Sequence, residues 1–202
     1  MTERRREKFL AVLRSRQPDL TVVLEDIHDP HNVSAILRSA DAVGIPEVQL
    51  IYSQEEFPEL GRPRTPVPGR KLGKKSSASA VKWVSRRTFG SVKECYDRLR
   101  SDGFAVYATH LGGKSVPLYE LDLTRPVALV FGNEHRGVSA EAAKLADENF
   151  LIPMTGMIES LNVSVACAVS LYEAFRQRRA AGKSGGYPAE TVERMFEEWA
   201  RK

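Results

Sequence analysis

The chain has only two cysteines, Cys95 and Cys167, and no Cys/His cluster lies near either. That excludes a zinc module and a disulfide-stapled scaffold, and two thiols so far apart in a chain without an export signal are expected to be free. No apolar run is long enough to span a bilayer and no secretory h-region opens the sequence, so the expected compartment is the cytoplasm, with no membrane partner. The Asn-x-Ser sequons at Asn32 and Asn162 then carry no glycosylation meaning, and those asparagines need another reason. There is no Ser/His/Asp order, no metal-ligand spacing and no phosphate-cradling Gly-rich loop, which sets aside triad hydrolases, metal sites and P-loop nucleotidases. No internal repeat is present.

What remains is an ordinary globular composition: 202 residues, 42% hydrophobic and 28% charged, enough for one sizeable core with some decoration. The net charge of +4 is modest, but its distribution is uneven. From Gly61 to Arg87 there is no Asp or Glu, while Lys or Arg stands at 62, 64, 70, 71, 74, 75, 82, 86 and 87. A second basic cluster, Arg4, Arg5, Arg6 and Lys8, opens the chain. A solvated loop and a frayed terminus would explain both. Phosphate contact explains them better, because Pro, Gly and Trp83 are interleaved with the cations and clustered cations release counterions from nucleic acid.

The periodicity predicts an amphipathic basic helix over 2–17, then a buried Val-rich strand, "LTVVLEDI", at 20–27. A helix follows with Asp29 as cap, Pro30 as first residue and Gly44 as stop. Further strands are expected at 47–53, 81–87, 104–110, 126–132 and 149–153, and helices at 91–103 and at 139–147, the latter capped by Ser139. A long helix should start from a Ser160 cap, with Asn162 in its first turn, and run to Arg179. It is thin: Ser164, Ala166, Cys167, Ala168 and Ser170 leave room for another backbone to come close. Residues 180–188 read as a linker and 189–202 as a terminal helix. Alternating strands and helices predict an α/β fold with a mainly parallel sheet, whose ligand lies beyond the carboxyl ends of the strands. The loops there are "HDPHN", "THLGG", "GNEHRG" and "PMTGMIESLN".

Taken singly, these loops are weak signals. Glu134 reads equally as a surface turn charge, Ser160 as a plain cap, and Asn162 as a residue that bonds back to its own backbone. Arg38 lies six residues past Asn32, about 9 Å along a helix, and reads as an ordinary helix arginine paired with Asp41. His28 and His31, near the cap, read as structural. Spacing therefore yields a ligand-binding α/β protein with a basic surface and no assigned reaction.

Three segments taken together say more. "NVSAILRSADAVGI", "LVFGNEHRGVS" and "IPMTGMIESLNVSVACAVSLYEA" resemble, in order, the three motifs of the SpoU branch of the SPOUT RNA methyltransferases, over residues 22–177. The basic helix before the first strand and the short helix at the end resemble the branch members that methylate guanosine 18 of tRNA on its ribose. The resemblance implies a parallel α/β sheet with a C-terminal deep trefoil knot, flanked by short N- and C-terminal helices. Its divisions would be a tRNA-contacting helix at 1–19, the methyltransferase domain at 20–179 and a linker with helix at 180–202. It also implies a homodimer packed through knot helices; the passage of the long helix through or beside the knot, packed closely on neighbouring backbone, would account for its thinness.

The implied cofactor is S-adenosylmethionine, held by Thr109, Gly132, Ile152, Met154 and Leu161, largely through backbone groups. The implied catalytic set is Asn32, Arg38, Glu134, Ser160 and Asn162, with tRNA contacts from Arg4, Arg5, Arg6, Lys8, Lys71, Lys74 and Lys75 and no metal. Two departures stand out: His135-Arg136 follows Glu134, and the basic insert at 61–75 is longer than the common form. Methylation of ribosomal RNA or of another tRNA site, and a catalytically silent RNA-binding relative, are the rival expectations. The short stretch before the first strand favours tRNA, and the intact motif side chains favour activity.

Overall fold

In a computed structural model of the chain, residues 1–53, 82–183 and 185–201 are described. Lys71, Lys74, Lys75 and the rest of the 61–75 insert lie outside them. Among the described residues a seven-stranded sheet forms from β1 (Leu20–Glu25), β2 (Glu47–Ile51), β3 (Ser85–Phe89), β4 (Ala105–Thr109), β5 (Val116–Pro117), β6 (Val127–Phe131) and β7 (Glu148–Leu151). Their spatial order is β3-β2-β1-β6-β4-β7-β5, and every pairing is parallel. The interior strands are apolar runs because both faces of the sheet are covered.

Alternation along β1 sorts the core. Leu20, Val22 and Leu24 face a layer with Leu37, Cys167 and Leu171, contributed by α2 (Pro30–Ala42) and α5 (Val163–Ala180). Val23 faces the opposite layer with Cys95, Tyr96 and Ala142, from α3 (Val92–Ser101) and α4 (Ala140–Leu145). The connection from β4 to β6 buries Leu118, Leu121 and Leu123 in the first layer. The connection from β6 to β7 buries Ala142 in the second. The chain therefore passes β4 on both faces, which leaves the ends of β6, β4 and β7 side by side.

Local signals act as expected at α2, where the Asp29 side chain accepts from His31 N–H, Pro30 is the first helical residue and Gly44 takes φ 88°. Three expectations are corrected. α5 begins at Val163, and its cap is Asn162, whose side chain accepts from the N–H groups of Ser164 and Val165; Ser160 lies outside the helix, two residues too early to reach those donors. The predicted strand at 81–87 is displaced, because pairing with β2 selects 85–89. A two-residue strand at Val116–Pro117 was not foreseen; it closes the edge beside β7, where proline's missing donor is tolerated.

The terminal helices α1 (Glu3–Arg14) and α6 (Ala189–Ala200) pack together through Phe9, Leu13, Val192 and Trp199, with Trp83 stacked at 5.4 Å from Phe9 and 4.7 Å from Trp199. Two buried arginines fasten the ends of the chain to the sheet. Arg16 bonds Ile45 O at 2.9 Å and Asp41 at 2.8 Å. Arg178, at the end of α5, matches its five N–H donors to Leu123 O, Gln17, Asp19 (side chain and O) and Arg125 O. A buried guanidinium whose donors are all matched is costly to unpair, so Arg178 sets the position of the end of α5. The segment at 180–188 also folds back on the body, with Gly186 N–H donating to Arg16 O at 3.0 Å. Among the described residues no helix is long and apolar enough to cross a membrane.

Candidate active site

The adjacent ends of β6, β4 and β7 open into a cavity of about 620 Å³. Thr109, Gly132, Ile152, Met154 and Leu161 all line it, as do Glu134, Ser160 and Asn162. Each arrives by the same device, a buried strand running straight into a polar loop. Gly132 is required at its place. A Cβ there would sit 2.1 Å from the backbone of Gly137 and Val138, so the turn after β6 closes only without a side chain. The Thr109 hydroxyl donates to Val130 O at 3.0 Å, tying the end of β4 to β6.

The lining residues Glu134 and Asn162 are joined by a directional hydrogen-bond chain through Asn32. Asn162 Oδ1 is taken up by the N–H groups of Ser164 at 2.9 Å and Val165 at 3.4 Å. Its Nδ2 therefore turns outward and donates to Asn32 Oδ1 at 3.1 Å. Asn32 Nδ2 in turn donates to Glu134 Oε1 at 2.9 Å. Glu134 also accepts from the N–H groups of His28 and Asp29, each at 3.1 Å. Only one orientation of both amides satisfies all these bonds. The chain joins residues 102 and 130 positions apart, one from each of the three motif segments. Burial pushes the Glu134 carboxyl up, but the donors from Asn32, its own backbone, His28 and Asp29 outweigh it and hold the group below its ordinary value of 4.5. Glu134 is thus a carboxylate at neutral pH, already committed as an acceptor and a weak base.

Arg38 stands apart. It is exposed, and Asp41, its expected partner, bonds Arg16 instead. Six residues turn a helix by about 240° beyond full turns, so Asn32 faces Glu134 while Arg38 faces away, and Arg38 does not line the cavity. Ser160 is exposed at the rim. Arg4, Arg5, Arg6 and Lys8 are exposed along α1; Arg6 meets Glu3 at 3.3 Å, and Arg5 lies over the Phe9 ring at 5.1 Å. Among the described residues no group of three or more His, Cys, Asp or Glu is placed to hold a metal.

Two supporting residues were not singled out from the sequence, Asp26 and Asn133. Asn133 Nδ2 donates to Asp26 O at 2.7 Å, and its Oδ1 accepts from the N–H of His135 at 3.0 Å. A polar pair at the ends of two buried strands was the available signal.

A cavity of this size takes a nucleoside-sized ligand. Its lining combines the apolar Phe131, Ile152 and Leu161 with backbone groups of three loops, which suits an adenosine with an amino-acid tail; the residues present fit S-adenosylmethionine. Comparison with known proteins agrees. A family model described as the SpoU rRNA Methylase family matches residues 19–172. The tRNA (guanosine(18)-2'-O)-methyltransferase of Thermus thermophilus is 43% identical over 203 residues, covering 100% of this chain and 98% of that protein. The crystal structure of the A. aeolicus TrmH/SpoU tRNA modifying enzyme superposes with a TM-score of 0.85 at 33% identity, covering 98% of this chain and 96% of the other. The SpoU methyltransferase AviRb of Streptomyces viridochromogenes, in complex with the cofactor AdoMet, gives 0.65 at 26% identity over 83% of this chain and 61% of that one.

Proposed function

The chain belongs to the SpoU rRNA methylase family, and on that footing we propose that it methylates the ribose 2′-oxygen of guanosine 18 in tRNA. The observation that carries this is the cavity at the ends of β6, β4 and β7, whose lining residues Glu134 and Asn162 are bridged by Asn32. S-adenosylmethionine supplies an electrophilic methyl group when bound. The protein's part is to hold donor and acceptor in line, where positioning is worth several kcal/mol of barrier. Thr109, Gly132, Ile152, Met154 and Leu161 hold the cofactor.

Glu134, Asn32 and Asn162 lock the strand-end loops to α2 and α5, and Ser160 orders the rim. Arg38 meets the RNA: its guanidinium keeps its proton too firmly to act as a base, so it stabilises the developing alkoxide and clamps the neighbouring phosphate. Proton removal falls to that phosphate or to water, since Glu134 is engaged.

Arg38 faces outward within one chain, and α5 leaves the apolar Val165 47% and Tyr172 54% exposed. Exposed apolar side chains on one stripe of a helix favour burial against a partner, which supports a homodimer through α5. The reading includes the trefoil knot, checked by pulling the termini apart: a knotted chain stops short of its full contour length. The cytoplasm, where tRNA is processed, is its place.

The direct test incubates the purified chain with methyl-labelled S-adenosylmethionine and unmodified tRNA transcripts, then maps the labelled nucleotide. The expected product carries the label on the 2′-oxygen of guanosine 18. Label on a base nitrogen, or on ribosomal RNA alone, would overturn the assignment.

A further inference from the structure

Asp26 is the one non-glycine among the described residues with a positive φ, 49°, and it is buried, 4% exposed, at the end of β1. A left-handed residue at the carboxyl end of a strand redirects its own carbonyl and N–H, and Asp or Asn tolerates that conformation better than other side chains. Here each polar group is used. The N–H donates to Ile51 O at 2.9 Å. The carboxylate accepts from Ser53, at 3.0 Å from its N–H and 3.3 Å from its hydroxyl. The redirected carbonyl accepts from Asn133 Nδ2 at 2.7 Å.

Asn133 passes this constraint on. With its amide nitrogen held by Asp26, its Oδ1 is left to accept from the N–H groups of His135 at 3.0 Å and Arg136 at 3.3 Å, while its carbonyl accepts from Gly137 N–H at 2.8 Å. Those bonds shape the turn that presents Glu134 to Asn32. Just beyond Asp26, Tyr52 donates its hydroxyl to Ile27 O at 3.0 Å, so residues 52 and 53 are clamped beside the start of the loop leading to α2.

From this geometry we infer that Asp26 is a positioning residue for methyl transfer: its left-handed backbone, held by the carboxylate–Ser53 bonds, aims Asn133 and through it sets the turn that carries Glu134. Strain at a buried non-glycine is retained where the surrounding structure over-determines it, commonly near reacting groups. The inference rests on the proposed 2′-O-methylation.

Three variants test it by steady-state methylation of tRNA, cofactor binding by calorimetry and thermal melting. Asp26→Gly keeps the left-handed backbone accessible but removes the carboxylate. It is expected to lower kcat at least tenfold while changing the cofactor Kd less than threefold. Asp26→Asn tolerates the same backbone and retains an acceptor for Ser53, so it is expected to restore kcat to within about threefold of the wild type. Asn133→Ala should match the kcat loss of Asp26→Gly, and the double variant should lose little more, because the two act on one path. Assays run well below each melting temperature separate this from simple unfolding. If Asp26→Gly keeps kcat within twofold, or if Asp26→Asn falls as far as Asp26→Gly, the inference fails. A wild-type chain that methylates no ribose would instead overturn the function on which it rests.

Discussion

At the scale of single residues, the site divides into side chains that are fully engaged and one that is not. Glu134, Asn32 and Asn162 bond one another, whereas Arg38 is exposed, with Asp41 taken by Arg16. In the role proposed for it, the flat fork of Arg38 grips phosphate and alkoxide together, whereas a lysine supplies only a point charge. Arg38→Lys is therefore expected to lower kcat at least tenfold, with the cofactor Kd and melting temperature unchanged. Near-normal turnover would remove the planar fork from the mechanism. The spacing from Asn32 gives both the rise and the rotation that separate the two on a helix; what needed the structure is which face of α2 meets Glu134 and that Asp41 is taken by Arg16. Likewise the sequence pointed to Ser160 as the cap with Asn162 in the first turn, and only the chain path, which starts α5 at Val163, shows that the cap is Asn162. Asp26 escaped notice because nothing in a side chain announces a positive φ.

Among elements, α5 is the least self-sufficient. One side is fixed in the core through Cys167, Leu171 and Ala174, and Arg178 pins its end. Val165 and Tyr172, seven residues apart and so on one stripe, stand 47% and 54% exposed, and the preceding loop exposes Met157 at 99% and Ile158 at 71%. These exposed apolar side chains support the proposed dimer contact. Replacing Val165 and Tyr172 together with Glu should turn a dimer into a monomer in sedimentation, while circular dichroism stays folded and tRNA methylation falls at least a hundredfold. A wild-type chain that sediments as a monomer at micromolar concentration would end the dimer proposal. The thin character of α5 was plain in its sequence, as were the strands with long apolar runs. β5 was not, since Val116–Pro117 carries no period at all and owes its strand geometry to the β7 edge. The order β6-β4-β7 was equally hidden, because which strand lies beside which is settled by the crossovers and not by local pattern.

For the molecule as a whole, the informative quantity is where its small net charge of +4 resides. The packed pair of α1 and α6 is polarised: α1 exposes Arg4, Arg5, Arg6, Lys8 and Arg14 against Glu3 and Glu7, while α6 exposes Glu190, Glu193, Glu197 and Glu198 against Arg194. A polyanion is drawn to the first and turned from the second, so the proposed role of α1 in holding tRNA predicts a defined orientation of the RNA on this helix pair. Each phosphate neutralised contributes roughly 0.7–0.9 to the slope of log affinity against log salt, which sets a ceiling near three for the four cations Arg4, Arg5, Arg6 and Lys8. Arg6 must first leave Glu3, and Arg5 and Arg6 are both drawn onto aromatic rings, so their share should be smaller than that of Arg4 and Lys8. Replacing all four with Gln is thus expected to reduce the measured slope for tRNA binding by about two, raising KM for tRNA at physiological salt while kcat at saturating RNA holds. Arg4 and Lys8 are exposed, whereas Arg5 and Arg6 lie over the Phe9 and Phe196 rings, so a small drop in melting temperature is expected from the loss of those two contacts. A slope that is the same in the variant as in the wild type would free α1 from any part in holding RNA and leave the work to the cations nearer the cavity.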